Sequence, residues 1–139
     1  MSDSMPITAG PTLPVRRTRV ASTALWSVQV LLAAMFLLSG GSKLAGAAAM
    51  VTLFDAIGVG QWFRYITGGI EVASAVALLV PALAPFGAVA LVATMIGAVA
   101  THLFVVGGSP AVPVALLAGA LAVAWARRDQ LARALPRPR

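Results

Sequence analysis

The sequence predicts an all-α membrane protein, a bundle of four transmembrane helices running up, down, up and down, with an interfacial segment between the first two helices. Hydrophobic residues make up 60% of the 139 residues and charged residues only 10%, and mean hydropathy is +0.94. An ordinary soluble domain is about 25% charged. Because a spanning helix needs about 20 apolar residues, the chain has room for about four spans and for no separate soluble catalytic domain.

The segment boundaries follow from where the apolar runs begin and end. Residues 1–19 are expected to form a disordered basic N-terminal tail, since they combine prolines with small polar residues and lack periodicity. Residues 20–126 form the transmembrane domain, with spans at about residues 20–41, 65–83, 86–106 and 111–126. A cleaved signal peptide is the alternative for the first span, but its apolar stretch exceeds the usual h-region of about 7–15 residues. Residues 127–139 form a basic cytoplasmic tail.

The connection between the first two spans differs from the other loops. Residues 42–64 mix apolar side chains with charged ones and glycines. Met50, Phe54 and Ile57 fall on one helical face. A short helix that lies in the membrane interface or over the mouth of the bundle fits this pattern better than a fifth span.

The charge pattern predicts the topology. Eight of the ten basic residues lie in two clusters at the ends of the chain: Arg16, Arg17, Arg19, Arg127, Arg128, Arg133, Arg137 and Arg139. The positive-inside rule therefore places both termini in the cytoplasm and the protein in the cell inner membrane. A net charge of +6 also occurs in nucleic-acid-binding proteins, but basic clusters that flank apolar runs favour a lipid bilayer as the partner, so no nucleic acid is expected.

Ionisable residues inside the predicted spans are the candidate site. Charged side chains in hydrocarbon usually face the bundle interior and pair with one another. Lys43, Glu71 and His102 come from three different helices and lie at a similar depth on the outer side, and Asp55 and Arg64 are available from the connecting segment. A Lys43–Glu71 pair or a Glu71–His102 pair would lower the cost of burial. The cluster is interpreted as an outward-facing polar pocket for a ligand head group or, alternatively, as a structural lock.

The sequence gives little support for thiol redox chemistry, a metal site or a catalytic site within this chain. The chain has no cysteine, which excludes thiol redox relays and iron–sulfur clusters within it. His102, Glu71 and Asp55 lack the on-helix spacing of metal ligands, so no metal site is expected. No catalytic residue can be assigned, and the chain is expected not to be catalytic by itself.

Several short motifs resemble those of the DoxX-like family of small four-span bacterial membrane proteins. They are Gly40-Gly41-Ser42-Lys43-Leu44, Gly68-Gly69-Ile70-Glu71-Val72, Leu78-Leu79-Val80-Pro81 and Thr101-His102, in this order and spacing. The family name comes from a subunit of a thiosulfate:quinone oxidoreductase, and some relatives are linked to membrane redox complexes. The resemblance implies that Lys43, Glu71 and His102 are the positions of interest, and that any redox chemistry comes from a bound cofactor or a partner chain.

The functional expectation combines the cluster with this resemblance. We expect an accessory or ligand-binding subunit of a quinone-linked or oxidative-stress membrane redox system, with a quinone as the candidate cofactor and another membrane or redox protein as partner. If the chain takes part in catalysis, it does so as an oxidoreductase subunit. The alternatives are a small-solute carrier that acts as a homo-oligomer and a membrane-protein assembly factor without a ligand.

Overall fold

The described part of the chain, residues 15–135 in a computed structural model, is helical and contains no strand. Side chains are described from residue 19 onward. The helices are α1 (Val15–Ala45), α2 (Ala48–Ile57), α3 (Gln61–Leu79), α4 (Ala84–Thr101), a π-helical segment (His102–Val106), α5 (Ala111–Ala126) and α6 (Arg128–Ala134). The predicted disorder of residues 1–14 and the character of residues 136–139 lie outside the described residues.

Both expected tails contain helix among their described residues. Residues 15–19 belong to α1, which contains no proline, and Gly46 follows its last residue with a φ of 73°. At the other end, α6 occupies most of the described C-terminal tail and bends by 61° from α5. The short helix expected between the first two spans is α2, and Gly58 ends it in the left-handed conformation, with a φ of 77°.

Two of the described helical segments are long and apolar enough to cross a bilayer. They are Arg19–Ala45 and Ala84–Val106, and the bent pair of α5 and α6 makes a third if it counts as one span. The α3 helix, which covers most of the predicted second span, is not among them. Large apolar side chains point outward, for example Leu38 and Phe104, which are 73% and 83% exposed. Such an apolar exterior is typical of a surface that faces lipid.

The helices pack in a ring in which α1 contacts α3, α3 contacts α4, α4 contacts α5 and α5 returns to α1. α1 and α3 run antiparallel, because Gln29 bonds to Leu78 near one end and Lys43 bonds to Glu71 near the other. A Cβ added to Gly40 would lie only 2.8 Å from the carbonyl oxygen of Gly68. Glycine therefore lets the two backbones approach closely, as small residues do between membrane helices.

The two halves of the ring are filled differently. From the middle of the bundle to the α3–α4 turn, apolar side chains form a core without access to solvent, including Phe36, Leu78, Leu91 and Val123. The other half encloses a cavity of about 620 Å³, and α2 forms part of its wall. The bundle thus has a closely packed end near the α3–α4 turn, called the solid end below, and an opposite end that contains the cavity, called the hollow end. The candidate site lies in the hollow end.

Candidate functional site

The centre of the site is an ion pair between α1 and α3. The Lys43 Nζ lies 2.8 Å from Oε2 and 3.1 Å from Oε1 of Glu71. It also donates to the Ser39 hydroxyl at 2.7 Å. The two side chains are only 12% and 2% exposed. The sequence predicts either a Lys43–Glu71 pair or a Glu71–His102 pair, and the structure contains the Lys43–Glu71 pair.

Helix packing brings these two charges together. Gly68 lies one turn before Glu71, and a Cβ there would come within 3.0 Å of the Lys43 Cβ and 3.1 Å of the Gly40 carbonyl oxygen. Because neither glycine carries a side chain, the last turns of α1 lie directly on the first half of α3. The flexible Lys43 side chain then reaches the carboxylate without leaving the bundle interior.

His102 belongs to the same cavity but not to the ion pair. It is the first residue of the π-helical segment, and its Nδ1 lies 2.9 Å from the carbonyl oxygen of Ala98. In the neutral ring this contact places the proton on Nδ1, which leaves Nε2 as the nitrogen available for other contacts. The Glu71–His102 pair, the second alternative, is therefore not the one formed.

Asp55 and Arg64, the two candidates from the connecting segment, form hydrogen bonds outside the cavity. They are not part of the cavity wall. The Gln61 Nε2 donates to the Asp55 carboxylate at 2.7 Å and to the Val51 carbonyl oxygen at 3.0 Å, and the Arg64 Nε donates to the Gln61 Oε1 at 2.6 Å. The Arg64 Nη1 also bonds to the Lys43 carbonyl oxygen, one of the last in α1. This chain of hydrogen bonds ties α1, α2 and α3 together at the last turn of α1, where the Lys43 carbonyl oxygen also accepts from the Gly46 N–H.

The cavity combines a few polar groups with largely apolar walls. Lys43, Glu71, Thr101 and His102 supply polar groups. Most other lining residues are apolar, and they come from α2, α3, α4 and α5: Met50, Leu53, Phe54, Ile57, Phe63, Met95, Val112, Pro113 and Leu116. A few polar groups in a largely apolar pocket of about 300–1,000 Å³ are typical of small-molecule sites. The arrangement is suited to a ligand with a polar head and an apolar body.

No metal-binding group is formed within residues 15–135. No three His, Asp or Glu side chains come together there as a metal ion would need. The carboxylate of Glu71 already accepts both of its described hydrogen bonds from Lys43.

A second polar cluster, which the sequence did not predict, lies at the solid end. Gln29 is fully buried, donates to the Leu78 carbonyl oxygen at 2.6 Å and accepts from the Arg127 Nε at 2.8 Å. The sequence feature that could have revealed this cluster is Gln29, a single glutamine within the first apolar run. Arg127 was interpreted only as a topology marker, because a basic residue next to an apolar run usually has that role.

The helical architecture and the apolar exterior, together with the buried ion pair, define a small integral membrane protein. The model of the DoxX-like family matches residues 27–125, which includes the Lys43–Glu71 pair and His102. The chain belongs to the DoxX-like family. No curated protein and no solved structure matched the chain.

Proposed function

We propose that the protein is a four-span inner-membrane protein with both termini in the cytoplasm. α3 supplies the span that hydropathy alone does not identify, because its charged side chains face inward: Arg64 and Glu71 are 4% and 1% exposed. Its partner α1 is long and apolar enough to cross, and α3 lies antiparallel to it over most of its own length. The basic clusters at the two ends of the sequence support the orientation.

Within this arrangement, the protein functions as an accessory, ligand-binding subunit of a quinone-linked or oxidative-stress membrane redox system. The observation that carries this proposal is the buried Lys43–Glu71 pair on the wall of a largely apolar cavity of about 620 Å³. Membership of the DoxX-like family supports the redox context. We infer an accessory role because a chain without cysteine takes part in redox chemistry through a cofactor or a partner.

The site residues have distinct roles toward a quinone-like ligand. The Lys43 ammonium exchanges its hydrogen bond to the Ser39 hydroxyl for one to a carbonyl oxygen of the ligand, and Glu71 holds that ammonium in place. The His102 Nε2 contacts the opposite polar edge, since Nδ1 is bonded to Ala98. The apolar part of the ligand lies against Phe54 and Leu116.

The test is a titration of purified protein in nanodiscs with a short-chain quinone, decylubiquinone. We expect wild type to bind it and Glu71→Gln to bind it about tenfold more weakly, the loss expected when a charged hydrogen-bonding group is neutralised. Gly97→Leu should also reduce binding, because Gly97 lines the cavity and a Cβ there meets no atom within 4 Å, so the new side chain can occupy the space.

The matched control is Gly69→Leu. Gly69 is also a mid-helix glycine with no atom within 4 Å of an added Cβ, but it does not line the cavity. Its quinone affinity should equal that of wild type. Negligible binding by wild type, or affinities of Glu71→Gln and Gly97→Leu equal to wild type, would remove the ligand-binding proposal.

A further inference from the structure

The solid end of the bundle contains a buried cation. Arg127, between α5 and α6, is 7% exposed, and its guanidinium lies 5.5 Å from the centre of the Trp26 ring. Its Nε donates to Gln29 and its Nη1 donates to the Gln130 Oε1 at 3.3 Å. These contacts connect α1, α5 and α6 at one point.

No carboxylate of the described residues neutralises this charge. Within the part of the chain that the structure describes, the salt bridge is the one between Lys43 and Glu71, at the other end of the bundle. The partners of Arg127 are amide oxygens and an aromatic ring. A buried charge without a counterion is costly. An external anion next to Arg127 would therefore lower the free energy of the folded protein.

A groove lies beside this cation. α6 bends by 61° from α5 and lies next to the turn between α3 and α4. The groove between them has a volume of about 440 Å³ and is lined by Pro81, Ala82, Gln130, Arg133 and Ala134. Gln130 belongs both to the groove and to the hydrogen bonds of Arg127. Arg133 thus faces the groove directly, and Arg127 is one side chain away.

Apolar surface continues from the groove along the outside of the bundle. Leu83, the last residue of the α3–α4 turn, and Phe86, in the first turn of α4, are 49% and 45% exposed. Trp26 and Trp125 lie at the same end, where tryptophan marks the membrane–water interface. An anion with attached acyl chains could place its charge in the groove and its chains against this surface, and a free anion would leave the apolar surface unused.

We propose that this groove binds the phosphate of an anionic phospholipid. The phosphodiester accepts hydrogen bonds from Arg133 and compensates the charge of Arg127, while the acyl chains pack on Leu83 and Phe86. Basic pockets between helices at a membrane surface are suited to anionic head groups. The proposal is independent of the ligand proposed for the hollow end.

Native mass spectrometry of delipidated full-length protein tests this proposal by comparing binding of phosphatidylglycerol with binding of phosphatidylcholine. We expect selective retention of phosphatidylglycerol and an affinity about five- to tenfold lower in Arg133→Gln, the contribution of one basic residue near an anionic lipid. Inorganic phosphate at the same concentration should not bind.

Arg128→Gln is the matched control. It removes the same charge from the same helix, but Arg128 lies over the Trp125 ring at 4.7 Å, bonds to the Trp125 carbonyl oxygen and does not line the groove. Its phosphatidylglycerol affinity should remain within twofold of wild type, an order-of-magnitude bound for a residue outside the site. Equal losses in the two variants, equal retention of both lipids, or binding of inorganic phosphate comparable to the lipid would overturn the proposal.

Discussion

The Lys43–Glu71 pair illustrates what single residues contribute. Removal of one partner leaves the other as an unpaired buried charge, which typically costs about 3–5 kcal/mol. Replacement of both by apolar side chains of similar size is often neutral or stabilising. We therefore expect Lys43→Met to lower the free energy of unfolding by about 3–5 kcal/mol and Lys43→Met/Glu71→Leu to recover most of it.

Denaturant unfolding in detergent micelles measures this difference. Arg128→Met is the control, because it removes an exposed cation and should change the free energy of unfolding by less than about 1 kcal/mol. If the double variant were as unstable as Lys43→Met, the pair would be needed for packing as well as for neutralisation. That result would contradict the prediction.

The sequence predicts an ion pair because burying a single charge inside a membrane costs free energy. Charges in apolar spans usually pair, so depth predicts that Glu71 meets Lys43 or His102 and does not decide between these two partners. The geometry of His102 was not predictable in the same way. Its ring bonds to a carbonyl of its own helix just where the hydrogen-bonding pattern changes to a π-helix, and such a change has no clear signature in the sequence.

At the scale of helices, glycine determines how closely α1 and α3 approach, since Gly40 and Gly68 both lie in the contact between them. We expect Gly68→Ala to destabilise the protein by about 1–3 kcal/mol, because the new methyl group overlaps Lys43 and Gly40 and pushes α1 away from α3. Gly69→Ala is the neighbouring control. Its methyl group meets nothing within 4 Å, and alanine favours helix by about 1 kcal/mol, so this variant should be as stable as wild type or more stable.

Thermal unfolding of both variants in the same detergent gives the comparison. Equal melting temperatures for Gly68→Ala and Gly69→Ala would contradict the close α1–α3 contact.

The sequence offers two adjacent glycines and cannot distinguish them, since helix rotation decides which of them faces α1. Helix rotation also decides which partners Arg64 and Asp55 meet. The sequence therefore predicts them as polar residues of the connecting segment but does not predict the hydrogen bonds by which they link the helices.

At the scale of the whole molecule, composition predicts a helical membrane protein, and the described residues are helical with two or three helices suited to span. The number of spans depends on α5, which has only 16 residues, and on α3, whose mean hydropathy is lowered by the polar side chains that the bundle buries. A hydropathy average counts Glu71 as exposed to lipid, whereas in the structure it contacts Lys43. The division into a solid and a hollow half follows from side-chain sizes on all four long helices together, which no single segment reveals.

The position of the α3–α4 turn decides between four spans and fewer. The natural chain has no cysteine, so single cysteines can be introduced as unique labels. Thr52 on α2 and Ala82 in the turn are both exposed in the described structure. In spheroplasts of a bacterial host, we expect a membrane-impermeant maleimide to label Thr52→Cys directly and to label Ala82→Cys only after permeabilisation, because α3 carries the chain back across the bilayer.

Gln130→Cys on α6 is the reference for the cytoplasmic side and should behave like Ala82→Cys, since both positions line the groove at the solid end. Labelling of Ala82→Cys in intact spheroplasts, together with protection of Gln130→Cys, would mean that α3 does not cross. In that case the antiparallel contact from Gln29 to Leu78 would have to break in the membrane. That contact buries the amide of Gln29 completely, so its loss would leave a polar group in hydrocarbon, and the four-span arrangement is the one that avoids this cost.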